Sequence, residues 1–472
     1  MVNLTFYGGV NEIGGNKILL EDKDTKILID FGMSYGHKAI FFDDFLRPRT
    51  SGGLSDFLRC GLVPDLNGVY REDLLLSIGR ERADPNIDGV LLSHAHLDHA
   101  AYISFLHEKI PVYCGETCKM ILEALQEAGS RDFETEILSF KARPDTRKNP
   151  EIQRKFETFR TGKSFMIGNC EITPVHVDHS IPGDYAFLIR TSEGTVAYTS
   201  DLRTHGSRPD MTEDFIQVAT KSEPVALISE GTRINEMKPD AGEVGVRDGC
   251  ASAVENAEGL VVADFNFKDV DRFHTFESIA KENDRKLAVS LKDAFFLKYL
   301  SSDPQLGLPK PDSSDIIVVP PRVKTGQYLE SDYTVAERQF ISNANCMRAD
   351  ELLKRQDEIV ACLGYFEMNT IADMKPSHGS LYVYSSSEAF NEEMVLDHKR
   401  LRRWTDFLHM RYCESHASGH ASGMDIMQMI KRIKPETVFP IHTESPGSFE
   451  GTAKTVVRVE TGIQYPVSRK PT

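Results

Sequence analysis

The run SHAHLDHA carries His94, His96, Asp98 and His99 directly behind the apolar stretch DGVLL, and no other feature narrows the choice of fold so far. Residues 88 to 92 are expected to form a buried strand. The segment from Asp98 onward, DHAAYISFLHEK, is expected to form an amphipathic helix with Asp98 in its first turn. The four side chains then share one strand-to-helix loop. His94 and His96 alternate as strand side chains do and point the same way, while Asp98 and His99 can address a second ion a few ångströms off. Imidazole nitrogens suit zinc and a carboxylate can bind an ion or orient a bridging water, so the spacing reads as a two-metal signature.

At 472 residues the chain has room for several domains and a large core. No apolar run is long enough to span a bilayer, so no membrane partner is expected. The start MVNLTFYGGVNEIGG lacks the basic segment and apolar core of a signal peptide, and a cytoplasmic location is expected. Eight cysteines without a CxxC pair fit reduced thiols better than a disulfide framework. Cys114 and Cys118 form the only close pair, with Gly115 between them, and are not expected to hold a metal. A net charge of −16 argues against coating nucleic acid through a global positive field, but leaves room for a local basic groove beside a metal pair. The local basic excess KARPDTRKNPEIQRKFETFRTGK is read as a solvated polar loop and helix face.

Residues 3 to 30 alternate apolar runs with Gly turns, the pattern of a strand meander, with Asp30 ending its third strand. From about 37 to 80 irregular Phe and Leu spacing with Pro and Gly breaks predicts short helices and loops over one face, a lid or an interface. Residues 110 to 230 mix strands and helices, and beyond about 235 strands and helices alternate strictly, which implies a parallel sheet covered by helices. After Glu388 a long helix leads to HASGHASGMDIMQMIKRIKPETVFPIHTE, where histidines return. Histidine-bearing loops thus flank a histidine-poor α/β block. The block is expected to be an insertion, dividing the chain into 1–232, 233–386 and a returning part 387–472.

A two-metal site needs further donors. In TPVHVDHSIPGDYAF, His179 on the turn before Ile-Pro-Gly is favoured over His176, which lies on the alternating strand. Asp201 ends the apolar strand of VAYTSDL, where a carboxylate can bridge two metals roughly 3.5 Å apart. His442 follows the strand TVFPI and can supply the second zinc's missing nitrogen. Ser418 and His420 sit on a Gly-containing turn before a helix, where the hydroxyl and backbone N–H groups can bind phosphate, and His416 is read as orienting that loop.

GGVNEIGGN, LIDFG, HAHLDH, DHSIPG, TSDLR, SEGTR, SGHAS and PIHTE occur in the order seen in beta-CASP metallo-beta-lactamase-fold nucleases, and nearly the whole chain resembles the ribonuclease J branch of that family. The resemblance implies an α/β protein: a metallo-beta-lactamase αββα sandwich with an inserted parallel α/β beta-CASP domain. It implies two Zn2+ ions, one held by His94, His96 and His179, the other by Asp98, His99 and His442, with Asp201 shared. Asp30 would steady a ligand histidine, and Glu230 would contact His420. Ser418 and His420 would hold the scissile or adjacent phosphate, with His420 as general acid and Asp98 accepting a proton from the attacking water. The implied substrate is single-stranded RNA, with 5′-to-3′ exonuclease and endonuclease action both left open, as is assembly into a homodimer.

The sequence departs from the family pattern in places. Ser200 stands where Gly usually precedes the bridging Asp, the 37–80 segment is longer than in many members, and only a short tail follows His442. That tail leaves no room for the C-terminal domain typical of bacterial ribonuclease J, so assembly does not transfer from it. Three rival readings differ in kind: a DNA-directed beta-CASP nuclease, an inactive scaffold subunit of an RNA-processing complex, and a small-molecule hydrolase. Relatives acting on DNA tend to have Val at the last motif, so His442 tilts the reading towards RNA. Retention of every ligand argues against a scaffold, and SGH and PIHTE argue against a small-molecule hydrolase.

Overall fold

The computed structural model describes residues 1–43, 45–129, 134–387 and 392–468. Strand periodicity builds its centre. In Lys17–Asp22, Ile18 and Leu20 face one core while Leu19 faces another, the period of two that a pleated strand imposes. A seven-stranded sheet runs in the order Gln464–Val467, Val2–Gly8, Lys17–Asp22, Thr25–Phe31, Gly89–Leu91, Val112–Gly115, Phe156–Phe159. Its first four strands pair antiparallel and the others parallel. A second seven-stranded sheet runs Thr455–Val456, Thr437–Ile441, Ala226–Glu230, Gly194–Tyr198, Tyr185–Thr191, Cys170–His176, Phe165–Ile167.

The two sheets share a core in which Leu4, Phe6, Leu20 and Ile29 meet Ile172, Phe187, Ile228 and Phe439. On the outer side of the first, Leu28, Phe31 and Leu92 pack with Ile121 and Leu122 of helix Glu116–Ala128. On the outer side of the second, Ala197, Leu227 and Val438 pack with helices Pro209–Ser222 and Gly423–Ile433. The result is the αββα sandwich that the resemblance implies.

Beside it stands a six-stranded sheet in the order Ile316–Val319, Lys286–Ser290, Ile359–Cys362, Val261–Asp264, Leu381–Tyr384, Arg411–Glu414, parallel throughout. Both faces are apolar and covered by helices, as an all-parallel sheet requires: Val261 and Ala263 face one core, Val262 the other. This layer runs past residue 386, where the sequence places its end. Helix Glu392–Phe407 lays Leu401 into its core, and Arg411–Glu414 adds an edge strand. RYCE is only partly buried and carries no apolar run, which is why pattern alone misses it. Residue 388, after which the sequence places that helix, lies outside the described residues.

The layers are pinned by buried ion pairs. Arg203 joins Asp178 in the sandwich to Asp271 in the six-stranded layer. Fully buried Arg272, on helix Val270–Glu282, holds Glu243, Ser385 and the carbonyl of Ala417, with His416 Nδ1 3.4 Å from its Nη1.

Two local expectations change. DHAAYISFLHEK is not an amphipathic helix: Leu97–Ala100 is one helical turn, and Ala101–Phe105 a tighter 3-10 run buried along its whole length. It has no solvent face, and its backbone is committed elsewhere, since Arg71 N donates to Phe105 O and His107 N to Val69 O. The 37–80 segment does form short helices, but Leu54, Phe57, Leu62, Tyr70 and Leu74 sink into the core beneath them, so most of it is a fixed cover rather than a lid.

Candidate metal centre

Parallel register gathers the chemistry at one rim of the sandwich. Gly194–Tyr198, Ala226–Glu230 and Thr437–Ile441 are parallel neighbours, so Asp201, Glu230 and His442 emerge from the same edge. Three residues there leave their strands through the left-handed region: Asp30 with φ 55°, Ser200 with φ 56° and His442 with φ 51°. Each such turn costs an L-residue about 1 kcal/mol or more, strain that persists only where the surroundings fix it. Ser200 shows what a side chain gains there over glycine, because its hydroxyl donates to Asp184 Oδ1 at 2.6 Å.

The side chains converge in groups whose candidate donor atoms all lie within 4.8 Å of one another: His94, His96, His179 and Asp201, then Asp98, His99, Asp201 and His442. His96 Nδ1 lies 3.0 Å from His94 Nε2 and 3.2 Å from His179 Nε2. Two nitrogens bound to one tetrahedral zinc are separated by roughly 3.3 Å, so this is the spacing of donors around a common ion. Asp201 Oδ2 stands 3.2 Å from His99 Nε2, 3.5 Å from His442 Nε2, 3.8 Å from His94 Nε2 and 4.0 Å from His179 Nε2. Asp98 Oδ2 is 3.3 Å from His442 Nε2. Asp201 Oδ1 is fully buried with no hydrogen-bond partner among the described residues, a costly state for a carboxylate oxygen unless a cation completes it. The donor set therefore fits divalent ions.

The outward-facing ring nitrogens are held, as ligand histidines require. Asp30 Oδ2 is 2.8 Å from His99 Nδ1 and also accepts from the Tyr198 hydroxyl at 2.6 Å and the Ser93 hydroxyl at 2.9 Å. His94 Nδ1 meets the Ser93 hydroxyl at 3.0 Å and Asp184 Oδ2 at 3.3 Å. His179 Nδ1 donates to Gly419 O at 2.6 Å, and His442 Nδ1 pairs with the Thr232 hydroxyl at 2.9 Å. Beneath Asp98, a Cβ on Gly32 would stand 1.6 Å from the Asp98 carbonyl oxygen, so only glycine admits that turn.

Electrostatics divides the rings. Burial, followed by the neighbouring histidine charges, holds His94 and His96 well below the ordinary imidazole value, and burial lowers His179 to about 3. These three are neutral, the form that donates to a metal. Around His99 and His442 burial acts in the same sense, but Asp201 with Asp30 and Asp98 prevails and raises them. Burial also opposes the charge on Asp98 and Asp201, yet His99 and His442 keep both carboxyls below their usual range.

His420 sits over both groups, its ring centroid 5.1 Å from that of His179 and 5.6 Å from that of His442. Its Nδ1 lies 3.2 Å from both carboxylate oxygens of Glu230, which also accepts from the backbone of Leu202 and Thr232. Burial works against the charged ring, but Glu230, then Asp201 and Asp98, hold it up to about 9.

The phosphate turn is less open than its sequence implies. Ser418 N donates to Asp240, His420 N to the Ser418 hydroxyl and Ala421 N to Leu202 O, so three of its backbone donors are committed. What remains for a ligand includes the Ser418 hydroxyl hydrogen and the His420 ring. His416 Nδ1 contacts Ser385 O at 3.1 Å and ties the loop to the six-stranded layer. His176 stays on its strand, packed on Tyr185 with centroids 4.1 Å apart, outside the metal-competent groups.

Asp184, Tyr198 and Thr232 contribute to the centre without being singled out from sequence. For Asp184 the available signal was an acidic residue between the histidine turn and a continuously apolar strand. Tyr198 and Thr232 had none beyond lying within three residues of Asp201 and Glu230. Asp30→Asn is expected to lower metal affinity about 10- to 100-fold with little change in fold, because it unseats the His99 tautomer. Metal competition against a chromophoric chelator measures this, and unchanged affinity would contradict the orienting role.

The profile of the Beta-lactamase superfamily domain matches residues 63–259, and that of the Zn-dependent metallo-hydrolase RNA specificity domain matches residues 412–448. Between them they contain all seven residues of the two donor groups together with Glu230, Ser418 and His420. Ribonuclease J of Pyrococcus abyssi is 24% identical over 461 residues, covering 94% of this chain and 90% of that protein. Ribonuclease J of Mycolicibacterium smegmatis is 24% identical over 454 residues, covering 93% and 68%. The similarity to a Helicobacter pylori ribonuclease J, 23% over 293 residues, spans 61% of this chain and only 36% of that protein. A solved structure of a protein of unknown function from Enterococcus faecalis shares the fold, with a TM-score of 0.73 at 23% identity, covering 98% of this chain and 99% of that one.

Proposed function

For a hydrolytic nuclease of the metallo-beta-lactamase fold, as this ribonuclease J-like chain is, we propose zinc-dependent hydrolysis of RNA phosphodiester bonds by a two-metal mechanism. The observation that carries this reading is the position of Asp201, whose Oδ2 faces nitrogens of both donor groups from 3.2 to 4.0 Å. Bound there, two zinc ions would supply a water nucleophile at neutral pH and offset the charge that grows on the phosphoryl oxygens. His94, His96 and His179 would hold one ion, Asp98, His99 and His442 the other, and Asp201 both.

The remaining steps belong to the protein. Asp98 accepts the proton of the attacking water. His420, fixed through Nδ1 by Glu230, keeps Nε2 for giving a proton to the departing oxygen. Ser418 offers its hydroxyl hydrogen to a phosphate oxygen, its own oxygen being engaged by His420 N. The reading takes single-stranded RNA as the substrate and includes a cytoplasmic homodimer.

The test is cleavage by zinc-loaded protein of end-labelled RNA with a 5′ monophosphate, triphosphate or hydroxyl, beside DNA of matched sequence. RNA is expected to be cut in preference to DNA. Mononucleotides from the monophosphate form alone would establish 5′-to-3′ exonuclease action, and internal fragments from all three would establish an endonuclease. Full zinc loading with no cleavage of either polymer would overturn the reading.

A further inference from the structure

A cavity of about 440 Å³ opens at the carboxyl ends of the six-stranded sheet, where parallel sheets characteristically take ligands. Its lining includes Leu97, adjacent in sequence to Asp98, so it adjoins the metal centre. Two lysines face it: Lys268, on the turn between strand Val261–Asp264 and helix Val270–Glu282, and Lys292, in the first turn of helix Leu291–Leu300. Phe366 lines the same cavity and is 90% exposed.

The lysines stand apart from the other cations between the layers. Arg203 has Asp178 and Asp271, Arg272 has Glu243, and Lys298 has Glu127 at 3.0 Å. Neither Lys268 nor Lys292 has a carboxylate in ion-pair range among the described residues, although four acidic side chains share the cavity. Those four are engaged elsewhere. Asp264 accepts from the Tyr382 hydroxyl at 2.6 Å, Asp293 from the Ser290 hydroxyl at 2.6 Å, Glu367 from Gly364 N at 3.0 Å, and Asp397 pairs with Arg400 at 2.7 Å. Burial, together with the like charge of Lys292, lowers Lys268 to about 8, and Asp98 acts in the opposite sense. The Lys268 charge is felt at His96 as well, so this lysine is coupled electrostatically to the metal centre. In a chain of net charge −16, two ammonium groups that line one cavity without a carboxylate partner make a local positive spot that an anion would offset.

We propose that Lys268 and Lys292 bind backbone phosphate of the RNA strand next to the metal centre, and so position the scissile bond over it. This deepens the ribonuclease reading and rests on it. Both lysines lie outside the two segments matched by family profiles, so the contact belongs to the six-stranded layer of this chain. Phosphate fits better than a carboxylate ligand because the neighbouring metal centre already selects for it, and the exposed Phe366 ring beside the lysines gives a base a surface to stack on.

The experiment compares zinc-loaded parent, Lys268→Ala, Lys292→Ala and the two Lys→Arg variants. It measures binding of a phosphorothioate-linked single-stranded RNA by fluorescence anisotropy across a salt series, with thermal midpoint and zinc content as controls. Each alanine variant is expected to weaken binding about tenfold and to lower the salt slope of log K by about 0.7, the share of one phosphate contact on a single strand. The arginine variants are expected to keep the slope. On cleavable RNA, KM should rise more than kcat falls. If both alanine variants keep the parent's slope and KM, the lysine contact is wrong while the ribonuclease reading stands. If the parent neither binds nor cuts RNA, both fail. A misfolded Lys268 variant leaves the decision to Lys292→Ala, which changes a side chain on a separate helix.

Discussion

Asp201→Asn is expected to reduce turnover by about four orders of magnitude, since a metal pair supplies several kcal/mol of transition-state stabilisation and each 1.36 kcal/mol is a factor of about ten. The substitution keeps the side chain's shape and removes its charge. Asp201 is the residue common to both donor groups and its Oδ2 faces nitrogens of each, so its loss separates the two sites rather than weakening one. Zinc per chain should fall, and the thermal midpoint should lose much of its response to added zinc, because an ion that binds only the folded state stabilises it in proportion to its affinity. Elemental analysis with a zinc-dependent melting series measures both. A variant that keeps two zincs per chain and parental activity would remove Asp201 from the centre and with it the two-metal mechanism.

His420→Ala separates chemistry from coordination. Zinc content should stay near that of the parent, because the ring leans on Glu230 and is absent from both principal donor groups. Turnover on RNA should fall about 10²- to 10⁴-fold, the usual share of a positioned proton donor. A substrate whose leaving group departs without a proton gives the sharper readout. Hydrolysis of a nitrophenyl phosphodiester should lose far less than hydrolysis of RNA, because nitrophenolate needs no acid. Equal losses on both substrates would make the ring a phosphate ligand or a structural prop. Loss of zinc would make it a metal donor, for which the grouping of His420 with Asp201 and Glu230 provides a geometric route.

The candidate donor cluster was legible because its residue types and spacing are written locally. HAHLDH places four donors on one loop, and Asp201 and His442 each follow a short apolar strand, so a residue at a strand end could be recognised without knowing its neighbours. What supports those donors was not legible, because support comes from far along the chain. Tyr198 reaches Asp30 across 168 positions and Thr232 reaches His442 across 210. Within its own strand, Tyr198 looks like any core aromatic. The same distance explains the phosphate turn, whose backbone donors are taken by Asp240 and Leu202, neither visible from SGHAS itself. Helix periodicity in DHAAYISFLHEK misled because pairing with Val69 and Arg71 overrode the local preference. Alternation of helix and strand identified the inserted layer but not its limit, since the last strand is half exposed and follows a long helix with a solvated face.

The buried guanidinium of Arg272 also bears on how the cleft admits its substrate. It clasps Ser385 and the Ala417 carbonyl at once, and two residues further on the carbonyl of Gly419 grips His179. Any breathing that pulled the inserted layer away would drag this tether and tilt a ligand ring before it widened the entrance. Separation of the layers and the setting of the His179 ring are therefore mechanically linked through one short stretch of chain.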